Sequence, residues 1–265
     1  MLTESSQLKI MKKYAAVVDV SPTEQLGDSD TDLKFMALLF GLKSYMSFYL
    51  VGRSHPDESI RFPLRKWSSA NRSYKRKFIE HAHHLARSEN IVFAANVASS
   101  SVIRRTGEKY WEFWMGAIPN PSSYNKKNRP RVLMGGYEVN DQVIPPYELL
   151  VDDLIVLGWY AESLVSCLSV LIEVNGEAVE LDILIDKLPN DQGDSGHYKA
   201  TLLKEICRRS SNNLLAIKGV PEISDSTQRD LLVDNMAGLL REITLDSTLE
   251  YRDAVSLFTL NRIQL

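Results

Sequence analysis

Cysteine is scarce in this sequence, which has only Cys167 and Cys207 among 265 residues. Neither thiol has a close cysteine or histidine partner at the spacing of a structural zinc site, and two cysteines predict no disulfide framework. Both stand in apolar helical contexts, where a thiol behaves as a small hydrophobic side chain. The sequence therefore excludes disulfide-rich and zinc-finger proteins and predicts two core cysteines.

Long uncharged apolar runs are also missing. The most hydrophobic stretch, residues 149–172, contains Asp152, Asp153 and Glu162, which are too many charges for a membrane span. Residues 1–13 lack the apolar centre of a signal peptide. We therefore expect a cytoplasmic protein that has no membrane partner.

Glycine-rich phosphate loops are absent as well. The chain has neither the Gly-x-x-x-x-Gly-Lys-Ser/Thr nor the Gly-x-Gly-x-x-Gly pattern, so nothing predicts nucleotide-dependent chemistry. Its length is sufficient for one large domain with a full core, and no internal repeat divides it. We predict a single domain over residues 1–265.

Positive charge is concentrated in one segment. Residues 61–131 hold 15 Lys or Arg against 4 Asp or Glu, although the whole chain has a net charge of −3. Such asymmetry predicts a polyanionic partner, and an ordinary solvated surface is the alternative. Two aromatic residues in the segment, Trp67 and Tyr74, suggest stacking on bases if they are exposed. The predicted nucleic-acid-binding residues are Arg72, Lys75, Arg76, Lys77, Arg104, Arg105, Lys126 and Lys127.

Two predicted strands carry an aspartate close to their carboxyl ends. One spans residues 13–21 and contains Asp19, and the other begins at Glu180 and ends at Asp186 before Pro189. Catalytic groups gather beyond the carboxyl ends of strands in α/β sheets. Each aspartate is therefore a candidate metal ligand, and a turn or a helix cap is the alternative.

The remaining elements follow from periodicity and from turn residues. Helix and strand alternate after residue 146, which predicts parallel strands covered by helices. Arg104 and Arg105 are assigned to a turn, and residues 120–131 to a loop. The predicted strands are 45–51, 91–98, 110–118, 131–137 and 213–220, and the predicted helices are 33–42, 69–88, 147–173, 198–210 and 227–243, before a final short element within 247–265.

The last predicted helix has a four-residue repeat of Asp230, Asp234 and Gly238. This spacing places them on one face. Two carboxylates one turn apart repel each other, and a bound cation would offset that repulsion. A solvated face is the alternative. The small Gly238 would allow close packing on the sheet.

The three acidic segments together resemble the RNase H-like superfamily. They are Val17-Val18-Asp19, Ile183-Leu184-Ile185-Asp186 and Asp234-Asn235-Met236-Ala237-Gly238. The last is similar to the Asp-x-x-Ala-Gly ending of an uncharacterised RNase H-like family found near mobile elements and phage-defence genes. The resemblance implies an α/β fold whose mixed sheet is antiparallel in its first half, parallel in its second half and flanked by helices. It also implies a basic insertion in the hairpin region, at about residues 53–131.

The chemistry that this resemblance implies is hydrolysis of phosphodiester bonds in DNA or RNA with Mg²⁺ or Mn²⁺. Asp19 would bridge two metal ions, Asp186 would hold one, and Asp234 would complete the other, with Asp230 as its substitute. A catalytically inactive subunit that binds nucleic acid or protein is the alternative function. A partner protein from a defence or mobile-element system is a further expectation. A fourth acidic ligand is expected from Asp152, Asp153 or Glu162.

Overall fold

A six-stranded mixed sheet organises the described part of the chain. Strands β1 (Tyr14–Ser21), β2 (Leu33–Leu42) and β3 (Val92–Ser99) are antiparallel neighbours. Strands β9 (Val179–Ile185) and β10 (Leu215–Gly219) are parallel to β1. The order is β10-β9-β1-β2-β3-β11, where β11 is Phe258–Leu260 and lies parallel to β3. The computed structural model describes residues 13–21, 31–43, 46, 62–88, 91–107, 123–126, 129–134, 137–139, 142–144, 147–185, 188, 195–219, 228–245 and 250–260.

Helices cover both faces of this sheet, so the predicted mixed α/β architecture is confirmed. The described helices are α1 (Arg72–Ser88), α2 (residues 100–107), α3 (Val151–Asn175), α4 (Ser195–Ser210) and α5 (Gln228–Leu245), and the small strands are β4 (Ser123–Lys126), β5 (Arg129–Met134), β6 (Tyr137–Val139), β7 (Gln142–Ile144) and β8 (Tyr147–Leu150). These strands form a three-stranded sheet, in the order β4-β5-β8, and a β6-β7 hairpin. Short 3-10 turns occupy Trp67–Ser69 and Arg252–Leu257.

Alternation along β1 divides the core into two layers. Ala16 and Val18 pack in the layer that contains α3 and α4, which we call the α3/α4 face. Ala15 and Val17 pack in the layer that contains α1 and α5, which we call the α1/α5 face. Because successive side chains of a strand point to opposite faces, Asp19 belongs to the α1/α5 face.

The prediction of a helix over residues 33–42 is wrong, because this segment is β2. Its sequence, LKFMALLFGL, is rich in good helix formers and does not alternate. The strand lies in the middle of the sheet, and all of its residues except the two ends are buried. A strand that is covered on both faces reads as a continuous apolar run, so tertiary packing overrides local propensity here.

Three other boundaries differ from the predictions. Arg104 and Arg105 lie in α2 and not in a turn. The predicted loop 120–131 contains β4 and the start of β5. The helix predicted from residue 147 begins at Val151, after β8. The predicted strand 110–118 lies outside the described residues, as does the predicted strand 45–51 apart from position 46.

Two helix ends carry capping residues of the usual types. Asn71 caps α1 by accepting a hydrogen bond from the backbone N–H of Tyr74 at 2.9 Å. Gly176 follows α3 with a φ of +65°, and its N–H donates to the carbonyl of Ile172 at 2.8 Å. Helix α1 and strand β3, both within residues 53–131, are built into the core.

Helix α3 is long and apolar enough to cross a membrane by length and composition. In the structure it packs against α4 and the sheet, and most of its apolar window is buried inside the protein. Cys167 on α3 and Cys207 on α4 are buried, as predicted. Burial raises the pKa of the Cys167 thiol to about 12.

Candidate functional site

Asp19 lies near the carboxyl end of β1, between two neighbouring strands. It pairs in register with Ala37 of β2. On the other side, the preceding residue Val18 pairs with Ile185, the last residue of β9. The Asp19 side chain is only 8% exposed in the middle of the sheet. Asp186, the next residue after Ile185 in the sequence, lies outside the described residues.

Asp234 lies on α5, the helix that packs across β1 and β2. One of its carboxylate oxygens accepts a hydrogen bond from the backbone N–H of Trp67 at 3.4 Å. Partial burial raises the pKa of Asp234, although this N–H and the charge of Lys66 act in the opposite direction. The side chain of Asp230, one turn earlier on α5, lies outside the described part of the chain.

A pocket of about 440 Å³ brings Asp19 and Asp234 together. Strand β1 also contributes Ser21 to the lining. The 3-10 turn before α1 contributes Trp67 and Ser68, and α5 contributes one long face of its helix. The pocket therefore joins a central strand, a turn and a helix that are far apart in the sequence.

Trp67 forms the wall of the pocket against α5. A Cβ placed on Gly238 would lie 2.7 Å from Trp67 Cβ and closer still to the indole ring. The close approach that a small residue permits is thus to Trp67 and not, as the sequence suggested, to the sheet. Trp67 is only 4% exposed, so it is not an exposed aromatic that stacks on a base.

Glu242 is a third carboxylate in this pocket, and sequence reasoning missed it. It lies two turns after Asp234 and forms an ion pair with Lys75 of α1. The Lys75 ammonium also lies 4.9 Å from the centre of a Trp67 ring. The sequence contained a pattern that could have identified Glu242, because the four-residue spacing of Asp234 and Gly238 continues to it.

The expected fourth ligand from α3 is wrong for Asp152 and Asp153. Asp152 pairs with Arg104 at 3.3 Å, and Asp153 pairs with the buried Lys199 of α4 at 3.3 Å. Glu162 lies on the same helix, whose core residues belong to the α3/α4 face. Asp19 belongs to the opposite face, so the sheet separates these acids from the pocket.

Three of the predicted nucleic-acid-binding residues tie α1 to the rest of the fold. Arg72 pairs with Glu250 at 2.5 Å, Lys75 pairs with Glu242, and Arg76 lies 3.4 Å from Asp253. These acids lie in α5 and in the segment that leads to β11. Each of the three cations is therefore already engaged in an ion pair, and nucleic-acid binding by them stays a prediction.

The other basic candidates divide into three groups. Lys77 on α1 and Arg105 on α2 are exposed, whereas Arg104 is paired with Asp152. Lys126 belongs to β4, but its side chain lies outside the described residues, and so does the whole of Lys127. Lys77 and Arg105 are consequently the positions at which a surface role in binding can be tested cleanly.

The described lining of the pocket offers carboxylate and hydroxyl oxygens, the ligands that Mg²⁺ and Mn²⁺ prefer. Asp19 and Asp234 face one cavity, and partial burial already disfavours the charged form of Asp234. These residues fit a hard divalent cation. Within the described ranges, no group of three or more His, Cys, Asp or Glu residues is arranged to hold a metal, so a further donor is needed.

Comparison with known proteins adds no identification. A scan against protein-family models finds no match, and a search of curated proteins finds none either.

Proposed function

We propose that this protein is a metal-dependent nuclease that hydrolyses phosphodiester bonds in DNA or RNA. The observation that carries the proposal is the meeting of Asp19 and Asp234 in one pocket. A strand and a helix that are distant in the sequence each supply one carboxylate. Paired carboxylates in a cavity are the usual protein contribution to a two-metal site.

The topology of the sheet supports the same proposal. The acidic strand β1 starts an antiparallel set with β2 and β3, and the parallel strands β9 and β10 extend the sheet on its other side. This is the arrangement implied by the resemblance to the RNase H-like superfamily. Asp186 follows Ile185 in the sequence, and Ile185 pairs with the residue before Asp19. Asp186 is therefore our proposed third ligand.

The proposed ligands for Mg²⁺ or Mn²⁺ are Asp19, Asp186 and Asp234. When bound, the metal would activate a water molecule and stabilise the leaving oxygen. The backbone N–H of Trp67 orients the Asp234 carboxylate. Lys75 neutralises Glu242 at the edge of the pocket, and the cavity volume falls within the range of small-molecule sites, roughly 300–1,000 Å³.

The proposed substrate is a nucleic-acid strand, whose phosphates the exposed cations of the basic segment would contact. Lys77 and Arg105 are exposed and lie on helices, so neutralising both should weaken binding and reduce its salt dependence. A partner protein of a defence or mobile-element system remains a proposal. The alternative is an inactive subunit that binds nucleic acid or protein through the same basic segment without cleaving it.

Isothermal titration with Mn²⁺ tests the metal site directly. Wild type should bind Mn²⁺, and Asp19→Asn, Asp186→Asn and Asp234→Asn should each weaken that binding. Asp152→Asn is the matched control, because Asp152 is a carboxylate of the opposite layer. Mn²⁺ at about 100 times its Kd should also stabilise wild type by about 2.7 kcal/mol. Equal Mn²⁺ binding by all five proteins would contradict the proposal.

A nuclease assay with Mg²⁺ and Mn²⁺ then separates the two functions. Asp234→Asn should abolish cleavage of labelled DNA and RNA, whereas Asp230→Asn should cost little beyond some stability. Asp230 stands near the start of α5, where a carboxylate favours the positive end of the helix dipole. Absence of cleavage by wild type with either metal, together with retained nucleic-acid binding, would establish the inactive subunit instead.

A further inference from the structure

We propose that Arg241 forms an anion site inside the pocket and holds a phosphate of the nucleic-acid strand next to the carboxylates. This inference rests on the proposed function and names the group that selects the substrate. Arg241 lines the same cavity as Asp19 and Asp234. It was not among the basic residues that the sequence predicted, because it lies far outside the basic segment.

The position of Arg241 on α5 places it beside the acids. It follows Asp234 by seven residues, which is about two turns of a helix. Gly238 and Glu242 line the pocket from the same stretch of α5. Seven residues correspond to a rise of about 10 Å. A phosphate bound by Arg241 is therefore a neighbour of the phosphate that the carboxylate end of the pocket would hold.

Arg241 has no acidic partner among the residues that the structure describes. Its side chain is exposed, and no residue in the described ranges forms an ion pair or hydrogen bond with its guanidinium. By contrast, Lys75, which lies over the ring of the pocket residue Trp67, is paired with Glu242.

The chemistry of guanidinium makes a phosphate the fitting ligand. Its planar fork donates two parallel hydrogen bonds to a phosphate or a carboxylate, and an ammonium cannot reproduce that geometry. The pocket already contains three carboxylates, Asp19, Asp234 and Glu242. A phosphate bound beside them needs positive charge nearby to offset their repulsion. Binding of the phosphate and of a divalent cation should consequently strengthen each other, and this coupling is reciprocal.

Fluorescence anisotropy with a fluorescein-labelled single-stranded 12-nucleotide DNA tests the site. Binding is measured at several salt concentrations in EDTA and in CaCl₂, and a denaturing gel verifies that the strand stays intact. Arg241→Ala should weaken binding about tenfold and reduce the salt slope by about 0.7. Arg241→Lys should recover the slope but not the full affinity, because it keeps the charge and loses the fork. The loss should be larger in CaCl₂ than in EDTA.

Arg252→Ala is the matched control, since Arg252 is exposed but does not line the pocket. Wild-type affinity in Arg241→Ala, or an equal loss in Arg252→Ala, would overturn the anion site. The outcome is separate from that of the nuclease proposal. If Arg241→Ala loses binding while wild type never cleaves, the anion site stands and the nuclease fails. If wild type cleaves and Arg241→Ala binds and cleaves equally well, the nuclease stands and the anion site fails.

Discussion

Replacing Gly238 with alanine tests how α5 is seated against the pocket wall. The new methyl carbon would lie 2.7 Å from Trp67 Cβ and closer still to Cγ and Cδ1 of the indole. Contacts below 3.0 Å essentially do not occur for real Cβ atoms. These separations are shorter than a van der Waals contact. Trp67 or α5 must therefore move by about 1 Å, because a close-packed interior has no void that could take the methyl group.

The surroundings of Trp67 leave little room for such a shift. Its ring packs edge to face with Phe78 at 5.7 Å and with Tyr251 at 6.4 Å, and Lys75 lies over it. Overpacking of this kind typically costs about 1–3 kcal/mol. Alanine is the better helix former by about 1 kcal/mol, which offsets part of the cost. We expect Gly238→Ala to lose up to about 2 kcal/mol of unfolding free energy.

Urea unfolding followed by circular dichroism measures this loss as a lower midpoint at an unchanged slope. The same substitution in a Trp67→Ala background should cost less or become stabilising, because most of the opposing atoms are gone. The two positions should therefore show a coupling energy in a double-mutant cycle. If Gly238→Ala unfolds at a higher urea concentration than wild type, helix propensity dominates, and the described seating of Trp67 on α5 is wrong.

Three further predictions concern titration and burial. Because partial burial raises the pKa of Asp234, the folded state holds its proton more tightly, and ionisation costs stability above the ordinary pKa. Asp234→Asn should thus raise Tm at pH 7 without metal, and the gain should vanish as the pH falls towards 3.8. His81 stacks on Phe62 at 4.9 Å, and burial lowers its pKa to about 4, so wild type should lose stability between pH 6.5 and 4. His81→Phe should flatten that decline in Tm, and an unchanged decline would contradict the assignment. Changing Lys199, whose side chain is 1% exposed, to Met should cost about 3–5 kcal/mol in urea unfolding, because the buried Asp153 loses its ion-pair partner. A Lys199→Met, Asp153→Leu double variant should recover most of that loss.

The framework of the sheet was predictable where local signals agree with the tertiary structure. The strand bearing Asp19 is apolar and ends before Pro22, and the two parallel strands alternate with helices, so both features were predicted correctly. The prediction of a helix over residues 33–42 was wrong for a physical reason. The helix formers of this segment are buried on both faces of a central strand, and no pattern within ten residues reveals the neighbours that bury them.

The candidate site was predictable only in part for a related reason. The four-residue spacing on α5 pointed to Asp234, because helical periodicity is a local property. Trp67 donates to Asp234 from 167 residues away in the sequence, and Lys75 reaches Glu242 over the same separation. Contacts of that range depend on how α1 and α5 dock on one face of the sheet. The pocket wall, the third carboxylate and Arg241 follow from that docking.

The docking of α1 and α5 also decides which cations of the basic segment should be substituted in a binding experiment. Lys75 and Arg76 are used in ion pairs that hold α1 against α5 and the segment before β11, so neutralising them together with Lys77 would mix loss of binding with loss of structure. Exposed charges are screened strongly by salt, whereas partly buried pairs are screened much less. A steep salt dependence of nucleic-acid binding must therefore come from exposed cations. Substitution of Lys77 and Arg105 isolates that contribution, and a melting temperature equal to that of wild type would show that the fold is intact in the same protein.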